Sequence, residues 1–594
     1  VRLRQDPRFN ARRCFVPGAD KEWGTGSVIP VDYGEYTRLH WLPREAGTRL
    51  SNPPDHEATE LVIAVVAAVG TEIDLVMDQI ATYLDDFGYE THSLRLSDYL
   101  AEHSERDFLE KPFDEKVWEA MTAGDELRQA WDRSDALALH AISDIVATRD
   151  EAAENAEDSE SETKDSENSE EELSPNLSRH AFLIRSLKTP DELETLRSVY
   201  GPRLVVIAAY SPREKRLKHV ADQIEDSRNT VSRDTWAHQP EALIDRDEKE
   251  QESRGQDVSG TFHRADFFIR GWNREVIGED LKRTLEILFG DPFHTPTRDE
   301  YCQFMASGAA FRSSELGRQV GAAIATDAGS VIALGSNEVP KPHGGSPWEG
   351  DGTKYREFEI GDIDTNRKHF DALAKELSAT VDERLNSVIE GISGEAADRQ
   401  RLDAVREAVV ASLPNDLRKA GLNELTEFGR AVHAEMNAIL DAARRGIAVQ
   451  GATLYTTTFP CHNCARHVIG AGVERVVFIE PYIKSRTAEL HSDAVRIDDD
   501  PGGENDDRIV FEAFVGVAPR RYREVFDAAA KERLGHCGRQ DESGHKQEFD
   551  KKAAVPVFPD AGLAQFRPEW REYRMKELLA LEHFDKHMKE EQGS

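Results

Sequence analysis

Apolar residues along the chain gather into short unbroken runs set in a strongly charged background. Leu61 to Val69 and Leu204 to Tyr210 are apolar at every position rather than at alternate ones. That pattern predicts strands buried on both faces, as in a parallel sheet. The first run closes on Gly70, and a helix follows from Leu75 to Phe87. The alternating segment Thr91 to Leu96 then gives a strand–turn–helix–strand opening, which argues for a parallel α/β domain. Ala181 to Ile184 and Asp266 to Ile269 read as further strands, with helices over Pro190 to Tyr200 and Gly278 to Phe289.

A second set of elements begins near Pro296. A helix is expected from Asp299 to Arg318, with Tyr301, Met305, Phe311 and Leu316 among its apolar positions. A hairpin is expected from Val320 to Thr326 and Val331 to Leu334 about a turn at Asp327 to Gly329. Ala434 to Arg445 reads as a helix, since Met436, Ile439, Leu440 and Ala443 recur at helical spacing. Thr453 to Thr457 is a strand leading into Pro460, a helix runs on to about Ala471, and strands follow at Arg475 to Ile479 and Val510 to Val515. A terminal helix is expected from about Pro568 to Glu591.

With 594 residues the chain has room for two or three domains. Residues 1–57 read as an irregular extension and 58–292 as the first α/β domain. Residues 151–176, dominated by Glu, Asp, Ser and Asn, are expected to form a flexible acidic loop. Residues 293–540 form the second domain, with a charged helical insertion at 362–414, and 541–594 form a charged tail.

Acidic residues outnumber basic ones by 112 to 75, a net charge of −37. This disfavours sequence-independent binding to nucleic acid, which needs cations for the phosphates; a nucleic-acid editor is disfavoured also by the lack of an aromatic–basic strip. The charge reads instead as a solvated face adapted to high salt. Five cysteines are too scattered for a disulfide framework, which points to a reducing cytoplasm. The longest apolar run is far too short to span a bilayer, and the first residues show no apolar signal core, so neither membrane insertion nor a signal peptide is expected.

The candidate chemistry lies between Val432 and Ala471. His433-Ala434-Glu435 is followed by Pro460-Cys461-His462-Asn463-Cys464. This H-x-E and P-C-x-x-C pairing resembles the zinc-dependent nucleobase deaminases. Catalytic zinc takes three protein ligands and keeps one position for water; His433, Cys461 and Cys464 would be the ligands. Glu435, two residues past the histidine, would be the general acid–base. Pro460 suits the first turn of a helix, so both cysteines would sit at a helix N-terminus, which favours thiolates.

Beyond that motif, residues 60–530 resemble the two-domain antiviral deoxycytidine-nucleotide deaminases of bacteria. The resemblance rests on Arg312 to Gly321, Asn337-Glu338-Val339-Pro340, Glu480 to Ser485 and Phe514 to Tyr522. It implies an α/β architecture: a P-loop kinase-like parallel-sheet domain, then a cytidine-deaminase-like α/β/α domain. It implies conversion of dCTP or dCMP to the uracil form during phage infection. It also implies Zn²⁺, a homo-oligomer, and an inhibitory RNA or nucleotide regulator. Asn337 is carried over as a sugar contact, although a turn asparagine bonding its own backbone would read the same way. Arg318, Lys484, Arg520 and Arg521 are candidates for phosphate, and Tyr482 for stacking on the base. The phosphate loop itself departs from the kinase pattern: its glycines fall on Ala67 and Glu72, its lysine on Ile73 and its magnesium-binding hydroxyl on Asp74. ATP hydrolysis is therefore not expected. Alternatives within reach of the sequence are a housekeeping dCMP deaminase and a regulatory nucleotide-binding protein.

Overall fold

The computed structural model describes residues 60–557, apart from 104–105, 160–176, 229–238, 249–254, 352–353, 362–363, 393–395, 421–427, 481–485, 498–505, 529–530, 532–535 and 542, together with 576–581, 583–584 and 587. A first unit, Val1–Asp55, and with it nearly all of the expected N-terminal extension, lies outside these residues. Both sheets belong to the second unit, His56–Ser594.

The first sheet grows from β1 (Leu61–Ala67), α1 (Ile73–Asp86), β2 (Glu90–Arg95), α2 (Leu96–His103), α3 (Phe113–Ala130), α4 (Ala136–Ser159), β3 (His180–Arg185), α5 (Pro190–Tyr200), β4 (Leu204–Tyr210), α6 (Arg213–Arg228), α7 (Pro240–Glu248), α8 (Val258–Phe262), β5 (Phe267–Arg270) and α9 (Arg274–Leu288). Its strands run β5-β4-β1-β3-β2, all parallel. Every residue of β1 is buried, as an apolar run covered by helices on both faces requires. α5 starts where the sequence demands: Thr189 and Glu192 form a reciprocal capping box around Pro190.

The second sheet follows α10 (Arg298–Ala310). It comprises β6 (Gly321–Ala325), β7 (Val331–Ser336), α11 (Glu357–Ile360), α12 (Thr365–Gly391), α13 (Ala396–Lys419), α14 (Ala434–Arg444), β8 (Thr453–Thr458), α15 (His462–Gly470), β9 (Arg475–Glu480), α16 (Thr487–Leu490), β10 (Val495–Ile497) and β11 (Ile509–Ala513). The order is β10-β11-β9-β8-β6-β7, parallel from β10 to β8 and antiparallel through β6 and β7. The expected α/β class, with two sheets dominated by parallel pairs, is what the chain forms.

Two glycines let helices settle on the second sheet from both sides. A Cβ on Gly321 would meet the Ala306 carbonyl of α10 at 2.0 Å, and one on Gly335 would meet the Ala434 carbonyl of α14 at 2.1 Å. The two halves are also stitched together. β12 (Gly516–Val517), just past β11, pairs antiparallel with β5 on the edge of the first sheet, before α17 (Tyr522–Phe526). The buried Glu300 of α10 accepts from Val517 N at 2.9 Å and from Arg283 of α9 at 2.8 and 2.9 Å. One buried cluster holds Val62, Ala64 and Phe182 of the first sheet with Ala323, Tyr455 and Val477 of the second.

Some boundaries differ from expectation. α10 stops at Ala310 rather than Arg318. Beyond it the Ser313 hydroxyl donates to the Asn337 carbonyl at 2.7 Å and Ser314 bonds Glu338 at 2.6 Å, so this segment is drawn to the chain after β7 instead of continuing as helix. α4 runs on to Ser159, so the first part of the expected acidic loop is helical; alanines at 152, 153 and 156 extend an existing helix at little cost. The rest of that loop lies outside the described residues. The charged insertion is the pair α12 and α13, which continues past Pro414 to Lys419, where Arg418 reaches Asp371 at 2.8 Å. Among the described residues no helix is long and apolar enough to cross a membrane.

Candidate metal centre

The site is built where two helices begin. His433 is the residue before α14 and Cys461 the residue before α15, both with extended backbone. The approach to α14 is fixed by a two-bond bridge: Glu338 N donates to the Val432 carbonyl at 3.2 Å and Val432 N to that of Glu338 at 3.0 Å. Asn437, one turn into α14, donates to the Ser336 carbonyl at 2.8 Å and to Ser346 at 2.9 Å. The Cys461 loop is held by Thr487, whose hydroxyl donates to the Pro460 carbonyl at 3.1 Å.

These elements bring His433, Cys461 and Cys464 together, one ligand atom from each lying within 4.8 Å of the others. His433 Nδ1 is 3.4 Å from both sulfurs. A tetrahedral zinc with Zn–S near 2.3 Å and Zn–N near 2.0–2.1 Å separates N from S by about 3.6 Å, so both the spacing and the donor set fit zinc. The acid–base chemistry agrees. The Cys461 thiol is driven down to about 3 by the Cys464 thiol, which outweighs burial, and then by His433. Sharing that proton, with burial added, pushes Cys464 far up. His433 is raised by its contact with Cys461. Two helix N-termini pointing at the cluster further favour negative sulfur.

Glu435 lies in the first turn of α14 and is 4% exposed, with Oε2 3.4 Å from Cys464 Sγ. Burial raises its carboxyl above the ordinary value, against the pull of the backbone and His433. A buried carboxyl of raised pKa beside a cation site is suited to both taking and giving a proton.

The expected substrate contacts are placed less uniformly. Arg318 Nη2 bonds Glu480 at 2.5 Å and Thr458 at 3.2 Å, at the strand ends beside the cysteine loop. Asn337 spends both ends of its amide on the chain before β6: Oδ1 accepts from Val320 N and Nδ2 donates to the Arg318 carbonyl, each at 2.7 Å. It therefore positions the loop that carries Arg318. Tyr482 and Lys484 lie outside the described residues. Arg520 and Arg521 are brought to Asp266 instead, Arg520 at 3.2 Å, while Arg521 is buried and donates to the Val557 carbonyl at 3.1 Å.

Sequence reasoning missed Asn437 and an acidic group around Glu315, whose carboxyl is pushed up to about 7 by burial and by Glu338 and Glu357. Nothing in the local pattern marks these residues, because their partners arrive from distant segments.

Residues 296–480 match the family model described as the cytidine and deoxycytidylate deaminase zinc-binding region. The C-terminal part of the chain therefore carries a dCMP deaminase-like, zinc-binding domain. Among relatives, the deoxycytidylate deaminase of Enterobacteria phage T2 is 46% identical over 55 residues, 9% of this chain and 29% of that protein. The ComE operon protein 2 of Bacillus subtilis is 43% identical over 53 residues, 9% of this chain and 28% of that protein. Human deoxycytidylate deaminase is 36% identical over 63 residues, 10% of this chain and 34% of that protein. The matches thus span about a third or less of each relative's length. Among solved structures, the dCMP deaminase of cyanophage S-TIM5 in complex with dCMP and dUMP aligns with 37% of this chain and 100% of its own, at 16% identity and a TM-score of 0.20.

Proposed function

We propose that this protein hydrolytically deaminates free deoxycytidine nucleotides, dCMP and dCTP giving dUMP and dUTP, and that the reaction depletes the nucleotide pool in anti-phage defence. The observation that carries the chemistry is the buried Glu435 carboxyl beside the His433, Cys461 and Cys464 cluster. When bound, zinc supplies a Lewis acid that lets water act as a nucleophile near neutral pH. Glu435 Oε2 takes a proton as water adds to C4 of the pyrimidine and delivers it to N3. It then takes the proton of the new C4 hydroxyl and passes it to the 4-amino group, which leaves as ammonia while a carbonyl forms at C4. Arg318 is the phosphate candidate, and its bond to Glu480 tempers that role because a phosphate must compete with a carboxylate. Asn337 retains one lone pair and one N–H for a sugar while it positions Arg318. Tyr482 and Lys484 are retained as contacts to base and phosphate.

The domain boundaries near residues 57, 292 and 540, the kinase-like descent of the first sheet, a cytoplasmic homo-oligomer and an inhibitory RNA or nucleotide regulator belong to the same proposal. Measuring ammonia released from dCMP, dCTP, CMP and single-stranded DNA tests it. Turnover of both deoxynucleotides supports the reading. Turnover of dCMP alone favours housekeeping supply of thymidylate precursors, and release only from DNA would sink both.

A further inference from the structure

The carboxyl ends of β1, β2 and β3 open into a cavity of about 410 Å³. Topology puts it there. β1 and β3 are neighbours, but the chain leaves β1 for β2 on one side and leaves β3 for β4 on the other. The crevice between two such diverging connections is where open parallel sheets hold ligands, and the volume is in the range of small-molecule sites. Much of its wall is carbon, from Leu96, Leu100, Val117, Ala120, Met121 and Leu137.

Charge accounting restricts what can enter. Four cations line the cavity, and each already has a carboxylate. Arg95 donates to Asp74 at 3.1 Å, and Arg185 holds the same carboxylate through two bonds, one at 3.0 Å. Lys188 donates to Asp247 at 2.7 Å. Arg128 donates to Asp125 at 3.1 Å and to Glu192 at 3.2 Å. Glu72 adds a further acid to the lining. A phosphate would face Glu72 and Asp74 and would have to strip charge-assisted bonds from Arg95 or Arg185. Among the lining groups are two with hydrogen-bonding capacity left. Arg128 Nε and Thr71 Oγ1 are buried without a hydrogen-bond partner, on side chains of residues that are 1% and 5% exposed. Both groups can donate a hydrogen bond to an acceptor held against this wall.

We propose that this cavity binds an uncharged organic molecule with a largely apolar body and a carbonyl-type acceptor, received by Arg128 Nε with the Thr71 hydroxyl as second partner.

The test uses the full-length chain and three probes: coumarin, an uncharged bicyclic lactone; its 3-carboxylate, the same body with one negative charge; and ATP. Calorimetry should show coumarin binding at least about tenfold more tightly than either anion. Ala120→Trp, which fills the cavity, should abolish coumarin binding. Thr71→Val should weaken it severalfold while leaving the unfolding midpoint in place. The proposal is overturned if ATP or the carboxylate binds as tightly as coumarin. It is equally overturned if coumarin gives no heat at about 1 mM, or if Thr71→Val and a folded Ala120→Trp both bind it as the parent does.

Discussion

Gly335 sets the position of His433 through α14, the helix that His433 precedes. Its missing side chain lets α14 lie on β7, so that His433 meets the cysteine loop; a Cβ there would collide with the Ala434 carbonyl, one residue past the ligand. Gly335→Ala should cost about 1–3 kcal/mol through overpacking and weaken zinc binding by roughly 10–100-fold. Zinc competition with a chromophoric chelator, beside a urea melt, checks both; unchanged zinc affinity would show that α14 has slack. At this scale the grouping of His433, Cys461 and Cys464 was legible in the sequence, because H-x-E and P-C-x-x-C are local and each sits at the start of a helix. Asn437 and Glu315 were not, since what gives them meaning is contact with Ser346 and Glu338 across many residues. Asn337 reads in the sequence as a sugar contact, with a turn asparagine bonding its own backbone as the alternative; its amide instead bonds the backbone of Val320 and Arg318, 17 and 19 residues away.

Among elements, α10 is pinned to the second sheet by Asp299. Its carboxylate receives Arg475 of β9 at 2.7 and 2.9 Å and the Tyr455 hydroxyl of β8 at 2.7 Å. Burial pushes this carboxyl up, but Arg475 and Tyr455 outweigh it and hold it below its ordinary value. A depressed carboxyl contributes stability above its unfolded pKa and loses it as pH falls through the folded one. Asp299→Asn should therefore cost about 1–2 kcal/mol at neutral pH, discounted because the pair keeps 31% and 35% exposure, and nothing in strong acid. Urea midpoints of parent and variant at several pH values read this out; a constant gap down to the acid limb would contradict it. A second pH effect has the same sense. His92 and His180 on β2 and β3 face each other with ring nitrogens 2.8 Å apart, and burial followed by His180 lowers the pKa of His92. A histidine lowered on folding destabilises the fold as pH drops below its unfolded value near 6.5. His92→Gln should flatten the parent's loss of stability between neutral and mildly acidic pH, measured by the same melts. Strands and helices with clean periods, such as β1, α5 and α14, were readable to within a residue or two. α3 was not, because Asp114, Asp125 and Arg128 are buried there as ion partners and erase the apolar stripe that periodicity depends on.

For the molecule as a whole, the two sheets share a core and β12, past the last strand of the second sheet, pairs on the edge of the first, so they should melt together. Glu300 is the fully buried joint, tied to Arg283 on one side and Val517 on the other. Glu300→Ala leaves a guanidinium and an amide without their acceptor and should cost about 3–5 kcal/mol. It should also separate the fluorescence and far-ultraviolet transitions, which should coincide in the parent; coincident curves in the variant would locate the joint elsewhere. This pairing could not be foreseen from the chain, since β12 is two residues long and its partner β5 precedes it by some 250 positions. The loop after β1 carries a further expectation: Ile73→Lys should not create ATPase activity, because Asp74 already occupies Arg95 and Arg185 where phosphate charge is needed. Phosphate release by that variant would reverse the reading of this loop.

The central claim concerns a carboxyl group and the metal beside it, and Glu435→Ala isolates them. Purified parent and variant should each hold one zinc at this centre, while the variant's release of ammonia from dCMP falls by at least about 10²-fold. Undiminished turnover with the zinc in place would contradict the account.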